Sequence, residues 1–122
     1  MTRRDWTISV DDMRIYARHA VTFATGKTRA DLDDEPQFQF AIIRAIEVIG
    51  EAAAQVPPDV RERFPAIPWP TVVGMRNRLI HGYSTVNLNV VWRIVRNELV
   101  PLIAQLDVIL AALGPEDPVA PG

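Results

Sequence analysis

Four side chains near the middle of the chain combine the groups that cleavage of a phosphodiester requires. They lie in the stretch RNRLIHGY, residues 76–83, as Arg76, Asn77, His81 and Tyr83. Histidine exchanges a proton near neutral pH, arginine stabilises phosphate charge, and asparagine both donates and accepts hydrogen bonds. This set suits attack of a ribose 2′-hydroxyl on its neighbouring phosphate. His81 would move the proton, Arg76 would stabilise the developing charge and Asn77 would orient a partner group, with no metal or cofactor required.

The motif supplies one histidine, whereas acid and base steps ask for two groups. A symmetric dimer would bring a second copy. On a helix that ends at Gly82, Arg76 and His81 would lie about 140° apart around the axis and would flank one groove. A purely structural interpretation is also open. A cation near a helix C-terminus stabilises the helix dipole, Gly82 suits the position after the helix, and Tyr83 would cover the core.

The spacing of apolar residues predicts helices before this motif. An S-x-x-D signal at Ser9 starts the first helix, which Gly26 ends. Pro36 opens the second helix, which runs to about Gln55. The apolar faces of these two helices are predicted at Val10, Met13, Ala17, Ala20 and Ala24, and at Phe38, Ile42, Ala45, Ile46, Ile49 and Ala53.

A proline-rich connection, VPPDVRERFPAIPWP, follows at residues 56–70 and has room for one short helical turn around residues 59–64. The third helix starts near Pro70. Asn87 caps the fourth and longest helix, which Pro101 should bend. Its seam is predicted at Trp92, Val95, Leu99, Leu102, Leu106, Ile109 and Leu113.

No alternating strand pattern is apparent, so the predicted fold is an all-α, up-and-down four-helix bundle with a short fifth helix in the proline-rich connection. Residues 1–8 are predicted to be an N-terminal extension, residues 9–113 the helical domain and residues 114–122 a disordered tail. The chain has no cysteine and no apolar run of membrane-spanning length. We therefore expect a cytoplasmic protein that makes no membrane contact. The net charge of −2 does not favour general nucleic-acid binding.

The complete motif resembles the R-x-x-x-x-H-x-Y signature of HepT-like proteins of the HEPN superfamily. The similarity extends to AIEVIGEAA at residues 45–53, FPAIPW at 64–69 and VNLNVVWRIVRNELVPL at 86–102, in the same order. It covers roughly residues 9–113, and the motif shows no departure from the signature.

The resemblance implies a helical HEPN bundle that forms a homodimer, with the two motifs facing each other in a composite cleft. It implies metal-independent ribonuclease activity, used as the toxin of a toxin–antitoxin pair. The implied antitoxin is an MntA-like nucleotidyltransferase that silences the toxin by adding AMP to Tyr83. Arg76 and His81 would be catalytic and Asn77 a supporting residue. The alternative function is a catalytically silent helical module that binds a nucleotidyltransferase or a nucleotide.

Other residues admit both a structural and a functional interpretation. Three arginines near the motif are candidate contacts for RNA phosphates or parts of a solvated face: Arg78, Arg93 and Arg96. His19 is interpreted as a surface residue. Glu47 and Glu51 form either a solvated face or a carboxylate pair, even a metal site, and either of them could orient Arg76. The side chains of Trp69 and Trp92 are assigned to the core or an interface rather than to base stacking.

Overall fold

The computed structural model describes residues 3–81 and 85–113, and the side chains of residues 6–79 and 85–113. The chain forms eight α-helices, one π-helical segment and a two-stranded ribbon within these ranges. The helices are α1 (Arg3–Ala24), α2 (Arg29–Asp34), α3 (Pro36–Ala54), α4 (Pro58–Arg63), α5 (Trp69–Val73), α6 (Met75–Leu79), α7 (Leu88–Arg93) and α8 (Leu99–Leu113). The predicted all-α fold is confirmed, and α4 is the predicted short fifth helix.

Helix α1 packs against α3 and α8, and these three long elements enclose the core. Every residue predicted for the apolar faces of the first two helices is buried. The backbone of Gly26 has φ 77°, a left-handed conformation that glycine adopts without the steric cost of a Cβ, and α1 ends just before it. Pro36 occupies the first turn of α3, as predicted.

The predicted start of the first helix at Ser9 is wrong. Helix α1 begins at Arg3, so Ser9 and Asp12 lie inside it rather than at its cap. Trp6 is buried, and its ring lies 6.3 Å from that of Phe64, which anchors the first turns to the core. Burial of this large apolar ring outweighs the local capping signal, because tertiary packing supplies most of the stability of a helix. The boundary of the predicted domain at residue 9 stays a prediction.

The last helical run carries a π-helical segment, Ile94–Glu98, between α7 and α8. Pro101 has no N–H, and its ring would crowd the carbonyl of Asn97 in an unbroken α-helix, so a widened turn at this place relieves both problems. The extra residue shifts the buried face. The seam follows the prediction from Val95 to Ile109. At the start of the π segment Ile94 is buried, and before it Val91 is buried while Trp92 is only partly buried.

The third helix differs most from the prediction. It starts at Trp69 as expected but breaks at Gly74 into α5 and α6, and it ends at Leu79 rather than at Gly82. The chain then pairs antiparallel, strand β1 (Ile80–His81) with strand β2 (Thr85–Val86). This short ribbon was not predicted, because the sequence shows no alternating strand pattern. Isoleucine, threonine and valine favour extended backbone over helix, which explains the change.

Asn87 caps α7 as predicted, because its side-chain oxygen accepts hydrogen bonds from the backbone N–H groups of Asn89 and Val90. The predicted disordered tail, residues 114–122, lies outside the described residues. Among the helices that the structure describes, none combines the length and apolar composition needed to cross a bilayer.

Gly50 lets α3 approach the backbone of α5 and α6. A Cβ at this position would lie 3.3 Å from the carbonyl oxygen of Val72 and 3.6 Å from the backbone nitrogen of Arg76. Because few Cβ atoms come this close to backbone, the glycine sets the separation between α3 and the segment that carries the motif.

Gly50→Val should therefore lower the free energy of unfolding by about 1–3 kcal/mol, because the added methyl groups press on the Val72 carbonyl. Urea unfolding monitored by circular dichroism measures this loss. Ala54→Val, at an exposed position of the same helix, is the matched control and should cost less than about 1 kcal/mol. Equal losses in the two variants would contradict the close approach.

Candidate active site

Helix α6 directs the first two motif residues into solvent. Its buried anchors are Met75 and Leu79, four residues apart, and the intervening Arg76 and Asn77 are exposed. No described residue forms an ion pair with Arg76. A guanidinium without a carboxylate partner remains available for an external anion, and Asn77 beside it offers a donor and an acceptor.

The antiparallel ribbon fixes the backbone that follows α6. Ile80 pairs with Val86 and His81 with Thr85, and the N–H of Asn87 donates to the carbonyl of Leu79 at 2.6 Å. His81 therefore does not lie on a helix, so the predicted angle of about 140° between Arg76 and His81 does not apply. The side chain of His81 and the whole of Tyr83 lie outside the described residues, and their predicted roles stay predictions.

Arg78, the residue after the exposed Arg76 and Asn77, forms a two-pronged ion pair with Glu98. Arg78 Nη1 donates to Glu98 Oε1 at 2.8 Å, and Nη2 donates to Oε2 at 2.7 Å. The two side chains are 30% and 27% exposed, so solvent screens the pair only in part. The pair joins α6 to the π segment in a geometry that arginine provides and lysine cannot.

The ion pair shifts the pKa of both partners towards their charged forms. Hydrogen bonds from Arg78 lower the pKa of Glu98, and the charges of Arg78 and Arg93 lower it further against the opposing effect of burial. The hydrogen bonds to Glu98 likewise raise the pKa of Arg78. Both terminal nitrogens of Arg78 are thus already occupied by a carboxylate, and its predicted contact with RNA phosphate stays a prediction.

The other two candidate arginines lie on the same helical run. Arg93 and Arg96 are exposed, and the Arg96 guanidinium lies 5.6 Å from the centre of the Trp92 ring, a cation–π contact. A pocket of about 220 Å³ opens beside Glu98, between α5, α6, the π segment and α8. The charge of Arg93 acts on Glu98, whereas Arg96 lines a separate hollow with Ala24 and Gly26 at the end of α1. The structure therefore brings Arg93 but not Arg96 towards the motif segment, and their predicted contacts with RNA phosphate stay predictions.

The remaining interpretations concern residues away from the motif. His19 is exposed and stacks on Phe23 with ring centres 5.9 Å apart. Glu47 and Glu51 lie 3.7 and 4.0 Å from Arg44, which fits a solvated face, and no described contact joins them to Arg76. Trp69 is buried, as predicted. Among the described residues, no three acidic or histidine side chains come together as a metal site.

Sequence reasoning missed two features of this site. Two short runs separated by three residues with a glycine, Ile80–His81 and Thr85–Val86, are a hairpin signal that the helical spacing obscured. Glu98 drew no attention as a site residue. Its signal was its place three residues before Pro101, where a helix must deform.

The ion pair predicts a specific dependence of stability on pH. Glu98 has a lowered pKa in the folded protein, so its contribution is complete above the ordinary carboxyl pKa of about 4.3 and is lost as the pH falls through the lowered value. The melting temperature of the wild-type protein should exceed that of Glu98→Gln at pH 6. The difference should shrink towards pH 3. A difference that stays constant over this range, measured by calorimetry, would contradict a charged Glu98.

The site agrees with what comparison of the sequence with known proteins shows. Residues 13–109 match the family model described as "Ribonuclease HepT-like". Two proteins of Methanocaldococcus jannaschii, named "Putative RNase MJ1380" and "Putative RNase MJ0125", are 30% and 31% identical over 89% and 93% of this chain and 100% and 97% of their own. "Probable ribonuclease HepT" of Thermococcus cleftensis is 44% identical over 50% of this chain and 56% of its own. No solved structure is significantly similar. The chain belongs to the HepT-like ribonuclease family.

Proposed function

We propose that this protein is a metal-independent endoribonuclease toxin whose cleavage site is built on Arg76, Asn77 and His81. The observation that carries the proposal is the exposed Arg76, which forms no ion pair with any described residue, beside exposed Asn77, on a short anchored helix that ends two residues before His81. The membership of a ribonuclease family supports the same chemistry. We place the enzyme in the cytoplasm.

In the proposed reaction, the 2′-oxygen of a ribose bonds to the adjacent phosphorus and the bond from phosphorus to the 5′-oxygen breaks. His81 takes the 2′-hydroxyl proton, and a protonated partner, the His81 of a second subunit, gives a proton to the leaving 5′-oxygen. Arg76 stabilises the added negative charge on the phosphate, and Asn77 orients the phosphate or the ribose. The products are a 2′,3′-cyclic phosphate and a 5′-hydroxyl, and no metal takes part.

The surface of α8 supports the second subunit. Helix α8 contains two polar residues, Gln105 and Asp107, and both are engaged within the chain, with the carbonyl of Ala66 and with Arg18. Between these two polar positions, the exposed face of the helix is apolar, with Val100, Ala104, Val108 and Ala111 at four- and three-residue spacing. A helix that is apolar on most of its circumference is ordinarily covered, and a homodimer would cover it.

His81→Ala should lower the rate of RNA cleavage by about 10²–10⁴-fold, because the proton-transfer group is lost. Arg76→Ala should be comparably severe, whereas Arg76→Lys should keep part of the activity. Cleavage is measured on a labelled RNA with and without EDTA, and the ends of the products are identified by mass spectrometry. Arg44→Ala, an exposed arginine outside the motif, is the control and should cleave normally.

Undiminished cleavage by His81→Ala, or loss of cleavage in EDTA, would contradict the mechanism. The dimer has its own test in a mixture of wild-type and His81→Ala subunits. Because the proposed reaction uses His81 of both subunits, mixed dimers should be as inactive as His81→Ala alone, so an excess of His81→Ala subunits should lower the activity of the wild-type protein. An active monomer by light scattering would contradict the shared cleft. Absence of cleavage by the wild-type protein would favour the silent binding module.

Control of the toxin is proposed to act at Tyr83. An MntA-like nucleotidyltransferase would direct the tyrosine hydroxyl at the α-phosphate of ATP, with release of pyrophosphate. The product carries a phosphodiester anion seven residues after Arg76 and six after Asn77, the two exposed motif residues. That anion can pair with Arg76, and the attached nucleotide would fill the space that RNA must enter. One modification would thus block the site by charge and by volume.

Co-expression with the nucleotidyltransferase should add one AMP to Tyr83 and abolish RNA cleavage, as measured by peptide mass spectrometry and by the cleavage assay. Tyr83→Phe should escape modification and remain active in the presence of the partner. Tyr16→Phe is the matched control and should still be silenced. Full silencing of Tyr83→Phe without an adduct would show that the partner acts by occlusion instead.

A further inference from the structure

Glu98 lies in the one place where the last helical run departs from α-helical geometry. The π segment Ile94–Glu98 ends at this residue, and α8 resumes at Leu99. Single π turns are rare and occur most often at functional sites. Pro101 accounts for the deformation, but the deformation also turns Glu98 towards α6, where its carboxylate meets the Arg78 guanidinium.

The segment that Arg78 belongs to has few other restraints. Helix α6 has five residues, Met75–Leu79, too few to be stable by itself. Two buried side chains and the close approach at Gly50 hold it on one side, and the two-residue ribbon follows it. Arg78 is the only motif residue in the described part of the chain that forms an ion pair. Its bond to Glu98 therefore bears directly on where Arg76 and Asn77 point.

We propose that Glu98 is a positioning residue, which holds Arg78 in a two-pronged ion pair and thereby fixes the motif from Arg76 to His81 in the geometry that cleaves RNA. The proposal rests on the proposed function for its catalytic half. Glu98 does not touch the substrate in this account. Its carboxylate accepts both hydrogen bonds from Arg78. The exposed Arg76 and Asn77 contact the RNA in this proposal.

The alternative is that the ion pair contributes only to global stability. The two roles differ in what they change. A stability role affects the whole chain and leaves the native site intact, whereas a positioning role loosens the backbone locally and lowers the turnover of a folded enzyme. Misplacement by about 1 Å can cost on the order of 10²-fold in rate, so the local effect is measurable.

The test compares the wild-type protein with Glu98→Gln, Arg78→Lys and the exchanged pair Arg78→Glu/Glu98→Arg. Amide hydrogen exchange by mass spectrometry reports the order of residues 75–87, and steady-state cleavage separates kcat from KM. Glu62→Gln is the matched control, because Glu62 is exposed and has no ion pair among the described residues. Circular dichroism confirms that each variant is folded at the temperature of the assay.

Glu98→Gln should speed exchange in residues 75–87 while leaving α1 and α3 unchanged, and should lower kcat about 10- to 100-fold with KM within about twofold. Arg78→Lys, which keeps the charge and the fold, should show the same pattern more weakly. The exchanged pair should restore part of the protection from hydrogen exchange in residues 75–87 and part of kcat. Exchange and kcat that match those of Glu62→Gln would overturn the proposal, as would faster exchange throughout the chain.

The two proposals fail separately. A wild-type protein that cleaves no RNA would overturn the proposed function, while the exchange measurement would still decide whether Glu98 orders the motif. Normal wild-type cleavage with an unaltered Glu98→Gln variant would overturn the positioning role alone.

Discussion

The ion pair between Arg78 and Glu98 is the constraint on which the candidate site depends. It is the described charge contact that ties the short helix of the motif to the last helical run of the bundle. Two hydrogen bonds between a planar guanidinium and a carboxylate fix orientation as well as distance, which one bond would not. The motif thereby gains a rigid support from an element about twenty residues away in sequence.

The support exists because the last helical run is imperfect. Pro101 is incompatible with a regular α-helix here, and the chain forms a wider π turn before it. This turn shifts the buried face so that Val91 rather than Trp92 is buried. Glu98, the last residue of the π segment, contacts Arg78 of α6. On the opposite side, Gly50 allows α3 to contact the backbone of the motif segment. The motif segment is thus positioned by two features: Gly50, which lets α3 come close to its backbone, and the π segment, which brings Glu98 to Arg78.

The sequence was sufficient for the regular parts of the fold. The spacing of apolar residues predicted the buried faces of α1 and α3 residue by residue. Proline and asparagine predicted the starts of α3 and α7. These signals act over one or two turns of the same helix. It was insufficient where the outcome depends on distant contacts. Trp6 extends α1 by packing against Phe64, and strand β1 (Ile80–His81) depends on pairing with β2 (Thr85–Val86).

The same distinction applies to the site. Arg76, Asn77 and His81 could be proposed from their chemistry and spacing alone, since residue types define what they can do. The partner of Arg78 could not, because nothing local relates position 78 to position 98. A π turn changes which residues share a face of the helix. A prediction from regular α-helical spacing assumes that no such turn occurs, so it places Trp92 rather than Val91 on the buried face.

The most direct test of this account is a double-mutant cycle over Arg78 and Glu98, read from the free energy of unfolding. Arg78→Ala, Glu98→Ala and the double variant are unfolded in urea at pH 7 and again at pH 3. We predict a coupling energy of about 1–2 kcal/mol at pH 7, as for a partly buried, two-pronged ion pair, and a smaller value at pH 3. Additive losses at pH 7 would show that the two side chains are not coupled and would contradict the account.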